Sequence, residues 1–280
     1  MLSYGDWKQM KIEEFFYSHP IFRQEEFAAF KSKQGISNVG TIYQALHHYL
    51  KTQRLVAVRR GLYAVVPPNE TSEGLLIDPY LIAGKTAGDS ILAYHTALEI
   101  HGAAYSLFQQ FTFLTAQKVK SFSYQERWFQ PVAIPQILKE KKAVNFGVEV
   151  INRAGLELRV TNVARTFVDV IARADLSGGW EEVCRSISNI AVLDIDEVIA
   201  YCFKLGSPVI NAKVGFFLEQ RQGAFAVSDM ILQQLAAKKP KSPHYLIKSK
   251  REPSQFIKRW NLMMPKTILN RTWEEPNYDV

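Results

Sequence analysis

The segment SNVGTIYQALHHYLKTQRLVAVRRGLYAVVP, residues 37–67, decides how the N-terminal part of this chain folds. Ser37 or Asn38 supplies a helix N-cap. Val39, Ile42, Tyr43, Leu46, Tyr49 and Leu50 recur at spacings of three and four, which predicts one buried stripe on a helix running to about Thr52. The opposite stripe reads Ser37, Thr41, Gln44, His48 and Lys51, flanked by Asn38, Gly40 and His47, and carries no carboxylate. Short hydroxyls and amides of this kind hydrogen-bond phosphate oxygens and base edges. Gly40 costs helix stability but lets the backbone approach a phosphate. The second half reads as two strands, Leu55–Arg59 and Leu62–Val66, with Arg60-Gly61 as the turn and Pro67-Pro68 as the stop.

Upstream, Asp6 caps a helix over Trp7–Tyr17 that must end at His19-Pro20, because the proline ring disfavours helical geometry in the residue before it. A second short helix, Gln24–Lys31, follows, and Gly35 breaks the chain before the third. Three helices followed by a hairpin with two arginines at its tip predict a winged helix-turn-helix. In that fold the third helix enters the major groove, and the wing touches phosphates or the minor groove.

The charge distribution points the same way. The chain has 280 residues, 47% of them apolar, and a formal charge of +7. Residues 31–60 carry six bases and no acid, and residues 238–260 carry eight bases and one acid. Residues 61–237, with fifteen bases and eighteen acids, are slightly acidic. Segregation of this kind is a polyanion-binding footprint. Lys31, Lys33, Lys51, Arg54, Arg59 and Arg60 are expected to hold phosphates, with Arg59 or Arg60 reaching the minor groove. Ser37, Asn38, Thr41, Gln44 and His48 are expected to read the major groove. Lys238, Lys239, Lys241, Lys248, Lys250, Arg251, Lys258 and Arg259, interleaved with Tyr245, Phe256 and Trp260, make a second basic surface with no assigned ligand.

Composition excludes several classes. An apolar fraction near one half with 12% aromatics is not that of a disordered chain. No stretch reaches the ~18 apolar residues of a membrane span, and the first residues lack a signal-peptide core, so a cytoplasmic protein is expected. Cys184 and Cys202 form neither a disulfide framework nor a zinc motif.

Past the linker 67–74, helices are expected at Tyr80–Ala87 and Ser90–His101. Strands are expected at Phe111–Thr115, Trp128–Ile134, Val148–Ile151 and Leu156–Val160. Thr161 is expected to cap the helix VARTFVDVIARA, and Gly179–Ile190, Asp194–Leu205, Asn211–Gln220 and Val227–Ala237 follow as helices. This gives an α+β chain in three parts: a winged helix-turn-helix over 1–70, a mixed middle region over 75–174, and a mostly helical region over 175–280. In an alternative division, 75–280 forms one domain. His95 and Glu99 share a helix face near His101, but the two-histidine pattern of a zinc protease helix is absent. Glu149 and Glu157 lack a nuclease-type partner. No catalytic residue, metal or cofactor is expected, and the chain does not read as an enzyme.

Several blocks occur in a telling order: RRGLYAVVP (59–67), AYHTALEIHG (93–102), VTNVARTFVDVIAR (160–173), SGGWEEV (177–183), KVGFFLEQ (213–220) and Arg259-Trp260. Together they resemble the AbiEi family of antitoxins from type IV toxin–antitoxin and abortive-infection systems, which defend against phage. The resemblance spans about 240 residues and implies an N-terminal winged helix that represses its own operon by binding upstream repeats. It also implies a C-terminal antitoxin domain and a nucleotidyltransferase-type toxin as functional partner, with or without direct contact. Operator DNA would then be double-stranded, bound by a homodimer or by cooperative assembly. One departure is that Thr41, Gln44 and His48 stand where an exposed arginine or lysine is expected in the third helix. The competing reading is a protein- or RNA-interaction module that uses the winged helix and the basic C-terminal segment to bind a partner other than operator DNA.

Overall fold

A computed structural model describes residues 12–247, 253–271 and 273 of the chain. In chain order they form α1 (described over 12–18), β1 (Ile21–Arg23), α2 (Gln24–Lys33), α3 (Val39–Lys51), β2 (Leu55–Arg59), β3 (Leu62–Val65), α4 (Pro79–Lys85), β4 (Ile91–Leu92) and α5 (His95–Ile100). Next come β5 (Gln110–Thr115), β6 (Phe122–Tyr124), β7 (Arg127–Ala133), α6 (Gln136–Glu140), β8 (Val148–Arg153), β9 (Leu156–Thr161) and α7 (Val163–Ala172). The chain ends with α8 (Trp180–Ser188), α9 (Ile195–Leu205), α10 (Pro208–Glu219), α11 (Asp229–Ala237), β10 (His244–Tyr245), β11 (Ser254–Ile257), β12 (Leu262–Pro265) and α12 (Lys266–Asn270). The fold is mixed α+β. Among the described residues, no helix is long and apolar enough to cross a membrane.

Contacts divide the chain into two units that interleave in sequence. The first comprises 1–92, 109–132 and 150–159; the second comprises 93–108, 133–149 and 160–280.

In the first unit, α1, α2 and α3 enclose an aromatic core. Phe15, Phe16, Phe22, Phe27, Ile42, Leu46, Leu55 and Tyr63 are buried together, with Phe22 and Phe27 fully covered. Asn38 is the residue that caps α3: its Oδ1 accepts the Thr41 N–H at 3.1 Å. The hairpin β2–β3 forms where the sequence indicates. Gly61 makes its turn at φ +80°, a conformation that a side chain would strain. The sequence pattern misses β1, which pairs antiparallel with β3 (Ile21 opposite Ala64) and completes a sheet of order β1-β3-β2. Further along, strands β4 to β9 build a six-stranded sheet of order β6-β7-β5-β4-β9-β8.

Two expectations are corrected here. The helix expected over Ser90–His101 begins only at His95, because Ile91 and Leu92 pair with Leu114 and Phe113 as strand β4. Tyr94, at φ 57°, ends the strand and starts the helix. In the second unit, Asn162 rather than Thr161 caps α7, since Thr161 is the last residue of β9; the Asn162 Oδ1 accepts the Arg165 N–H at 3.0 Å.

Helix α7 is buried from Ala164 to Ile171 and packs on α5, α9 and α10. Helices α9, α10 and α11 open on Asp194, Ser207 and Ser228 caps. The region expected to be mostly helical also holds a small sheet of order β10-β12-β11. Trp260, one of the aromatics interleaved with the basic segment, is fully buried. Its Nε1 donates to Glu219 Oε2 at 2.6 Å, and its ring covers Gly215, where a Cβ would stand 2.1 Å from Cζ3.

Candidate nucleic-acid interface

The amphipathic pattern of α3 determines which residues reach solvent. Ile42 and Leu46 are buried, Ala45, Tyr49 and Leu50 are half-buried, and Gly40, Thr41, Gln44, His47, His48 and Lys51 are exposed. Lys33, at the end of α2, and Ser37 are also exposed; the Ser37 Oγ lies 3.4 Å from the Ser32 Oγ. The exposed face of α3 therefore presents Thr41, Gln44, His48 and Lys51 together, and none of its residues is acidic.

Two residues depart from the expected stripe. Val39 is 64% exposed and Tyr43 50% exposed, so both belong to the solvent face rather than to the core. Tyr43, Gln44, His47, His48 and Lys51 line one shallow depression. A helical wheel puts Tyr43 at the edge of the apolar arc, where the three-and-four spacing that assigns it inward is weakest.

Four of the expected phosphate and base contacts are engaged within the first unit. The Asn38 side chain is committed to its cap. The Lys31 ammonium lies 5.4 Å and 5.5 Å from the Phe27 and Phe30 ring centres. Arg54 pairs with Glu13 at 2.6 Å and covers Phe16. Arg59 lies 4.6 Å over the Phe122 ring, and its Nη1 is buried without an acceptor among the described residues. Burial lowers the Arg59 pKa, though not far enough to discharge a guanidinium. Arg59 is therefore half-buried, with its guanidinium stacked on Phe122.

Arg60 is the exposed arginine at the hairpin tip. It lines a polar cleft of about 360 Å³ with Arg23, Glu25, Thr86 and Gln117. The Arg23 Nη1 in turn donates to the Ala87 carbonyl at 3.1 Å. Arg23 carries no sequence signal for this position, because β1, which places it, is itself missed.

On the second basic surface, Lys238, Lys241 and Lys258 are exposed. Lys239 donates to the carbonyls of Lys258 and Arg259 at 3.1 Å and 2.8 Å, and Arg259 pairs with Glu219. Lys248, Lys250 and Arg251 lie outside the described residues.

The histidine segment forms a buried structural knot. His95 Nε2 lies 3.1 Å from Glu182 Oε1, its Nδ1 lies 3.2 Å from Glu99 Oε1, and its ring stacks 3.7 Å from Phe108. The Nδ1 contact is close but lacks hydrogen-bond alignment, so the Glu182 bond is the firmer of the two. Glu182 also accepts from the Ser106 N–H and the Ser186 hydroxyl. Burial opposes its ionisation, but the Ser106 N–H, His95 and Ser186 outweigh burial and hold its pKa below the ordinary value. A depressed carboxylate stabilises the fold above its unfolded pKa of about 4.3, and that stability disappears as pH falls through the folded value. Glu182→Gln is thus expected to cost about 1.5–3 kcal/mol at neutral pH and progressively less as the pH falls below the unfolded carboxylate value, read from denaturation midpoints. A pH-independent loss would contradict the charged knot. Among the described residues, no group of His, Cys, Asp or Glu is arranged to hold a metal. Cys184 and Cys202 are buried thiols, and burial pushes Cys202 far above the ordinary thiol pKa.

No protein-family profile matches the chain, and no curated protein matches it. Among solved structures, the chain is similar to the crystal structure of the RV2827C protein from Mycobacterium tuberculosis. The TM-score is 0.59 at 13% sequence identity, covering 95% of this chain and 94% of that one. At that identity the likeness concerns the fold alone.

Proposed function

We propose that α1–α3 and the β2–β3 hairpin form a winged helix-turn-helix that binds double-stranded operator DNA. On this reading the protein represses its own operon and acts as the antitoxin of a type IV toxin–antitoxin system with a nucleotidyltransferase toxin. The observation that carries the DNA-binding part is the solvent face of α3. It is exposed, free of carboxylates and furnished with Thr41, Gln44, His47, His48 and Lys51, and a hairpin tipped by Arg60 follows it. The antitoxin part rests on the order of sequence blocks that resemble those of the AbiEi family.

The test is a gel shift with DNA from upstream of the gene. Arg60→Ala is expected to lower the slope of log K against log salt by about one unit, because one phosphate contact is lost. Gln44→Ala is expected to cost ~1–3 kcal/mol and relax sequence preference at one position. Tyr43→Ala is expected to relax preference for a thymine, whose methyl group suits an exposed apolar side chain. Arg59→Ala, by contrast, is expected to lower stability and leave the salt slope nearly unchanged. Equal, salt-insensitive binding by the wild type and an Arg60→Ala/Lys51→Ala variant would sink the assignment. Growth rescue on co-expression with an adjacent nucleotidyltransferase gene tests the antitoxin role.

One observation favours a protein partner instead. Phe16, Tyr17, Pro20, Val65, Val66, Pro67 and Pro68 line a mainly apolar groove of about 350 Å³, and Tyr17 is 93% exposed. Co-purification of the toxin through high salt, lost in Tyr17→Ser and accompanied by no DNA shift, would favour that reading.

A further inference from the structure

The lysines of the second basic surface do not spread evenly over it. Lys238, Lys239 and Lys241 converge on a cleft of about 480 Å³ at the junction of α9 and α10, which Phe203, Gly206, Pro208 and Asn211 complete. Its volume lies within the ~300–1,000 Å³ typical of small-molecule sites. None of the lining residues is acidic. A fourth cation stands at the rim: Lys141 Nζ donates to the Lys204 carbonyl at 2.7 Å and lies 3.8 Å from where a Cβ on Gly206 would stand.

The remaining lining residues suit something more specific than a bare anion. Phe203 offers a ring, which Lys238 Nζ approaches to 4.6 Å, and Pro208 adds an apolar wall. Asn211 is only 3% exposed, its Nδ2 donates to the Lys238 carbonyl at 3.3 Å, and its Oδ1 meets no donor among the described residues. A buried acceptor without a donor is uncommon in folded proteins and marks a place where a ligand group can complete the bonding. Lysines for phosphate, a ring and a proline for a flat base, and an amide acceptor for an amino group together make a nucleotide site.

We propose that this cleft binds a nucleoside phosphate, with its phosphates on Lys238, Lys239 and Lys241 and its base between Phe203 and Pro208, the base amino group donating to Asn211. The site is remote in sequence from the α3 face, and the proposal does not depend on the operator reading. No chemical step is implied; the site binds and does not react.

The test is titration of the full-length protein with adenosine triphosphate by calorimetry, alongside inorganic tripolyphosphate. The informative variant is Lys238→Gln/Lys241→Gln. Both residues are exposed, and Lys239 is kept because it holds the Lys258 and Arg259 carbonyls. The nucleotide is expected to bind about tenfold or more tightly than tripolyphosphate, and the double variant to weaken it about tenfold or more, with an unchanged melting temperature. Equal affinity for tripolyphosphate would overturn the base contacts and reduce the cleft to an anion patch. Absence of binding, or binding untouched in the double variant, would overturn the site. Displacement of a fluorescent nucleotide by duplex DNA, lost in the same variant, would assign these lysines to a nucleic-acid backbone and likewise overturn the proposal.

Discussion

Asp169→Ala is expected to destabilise the second unit by about 3–5 kcal/mol, read as a fall in the midpoint of chemical denaturation. The reason is what the carboxylate leaves behind. Arg165 is fully buried, with its Nε 3.4 Å from Asp169 Oδ2 and its Nη1 donating at 2.8 Å to each of the Val144 and Phe146 carbonyls. Tyr201 donates its hydroxyl to Asp169 Oδ1 at 2.8 Å and lies under the guanidinium. Nη2 already lacks an acceptor among the described residues, so removing the carboxylate strands a buried cation. Burial pushes the Asp169 pKa up, against the pull of Arg165 and Tyr201, so the charged pair is costly to form and costlier to split. Asp169→Asn keeps an acceptor for Tyr201 and is expected to lose less. An Arg165→Met/Asp169→Leu double variant is expected to recover much of the loss, because it removes both charges and preserves volume. A loss below ~1 kcal/mol for Asp169→Ala would mean that the pair is not formed.

Trp260→Ala is expected to cost a similar ~3–5 kcal/mol. The indole is fully buried, so its removal opens a cavity on α10 and leaves Glu219 Oε2 without its donor. The reciprocal change, Gly215→Ala, is expected to cost ~1–3 kcal/mol by overpacking, since the added carbon meets the ring edge and not a flexible chain end. A Gly215→Ala/Trp260→Phe variant trims the ring at that contact and is expected to be milder than the sum of its parts. Strict additivity of the two changes would show that glycine and indole do not touch.

What the sequence disclosed follows the range of the interactions involved. Helix α3 and the hairpin are readable because each is defined locally, by the Asn38 cap, a three-and-four apolar spacing, Gly61 and Pro67. Strand β1 is three residues long and exists only through pairing with β3, some forty positions away, so no local pattern marks it. The Ser90–His101 segment is apolar on nearly every side, which leaves strand and helix indistinguishable until β4 pairs with β5. In 238–260, lysines and prolines conceal a sheet whose register is set by β12.

The candidate interface divides in the same way. Exposure of Thr41, Gln44, His48 and Lys51 follows from helix periodicity alone. The inward engagement of Arg54 and Arg59 depends on Glu13 and Phe122, partners that no spacing rule identifies. The ordered sequence blocks behave likewise. AYHTALEIHG and SGGWEEV meet through His95 and Glu182, and KVGFFLEQ meets Arg259-Trp260 through Glu219. Those blocks are legible as strings, and their bonds only as structure.

The interleaving of the two units governs how the chain can be made and cut. The first unit cannot finish until residue 159 has been synthesised, yet residues 93–108 and 133–149 of the second emerge before then. At ~5–20 residues per second, the first 92 residues wait for several seconds with strand edges unpaired. No single cleavage or fusion point separates the units as intact pieces, so a nascent chain passes through an obligate half-built stage at which chaperones and proteases can act.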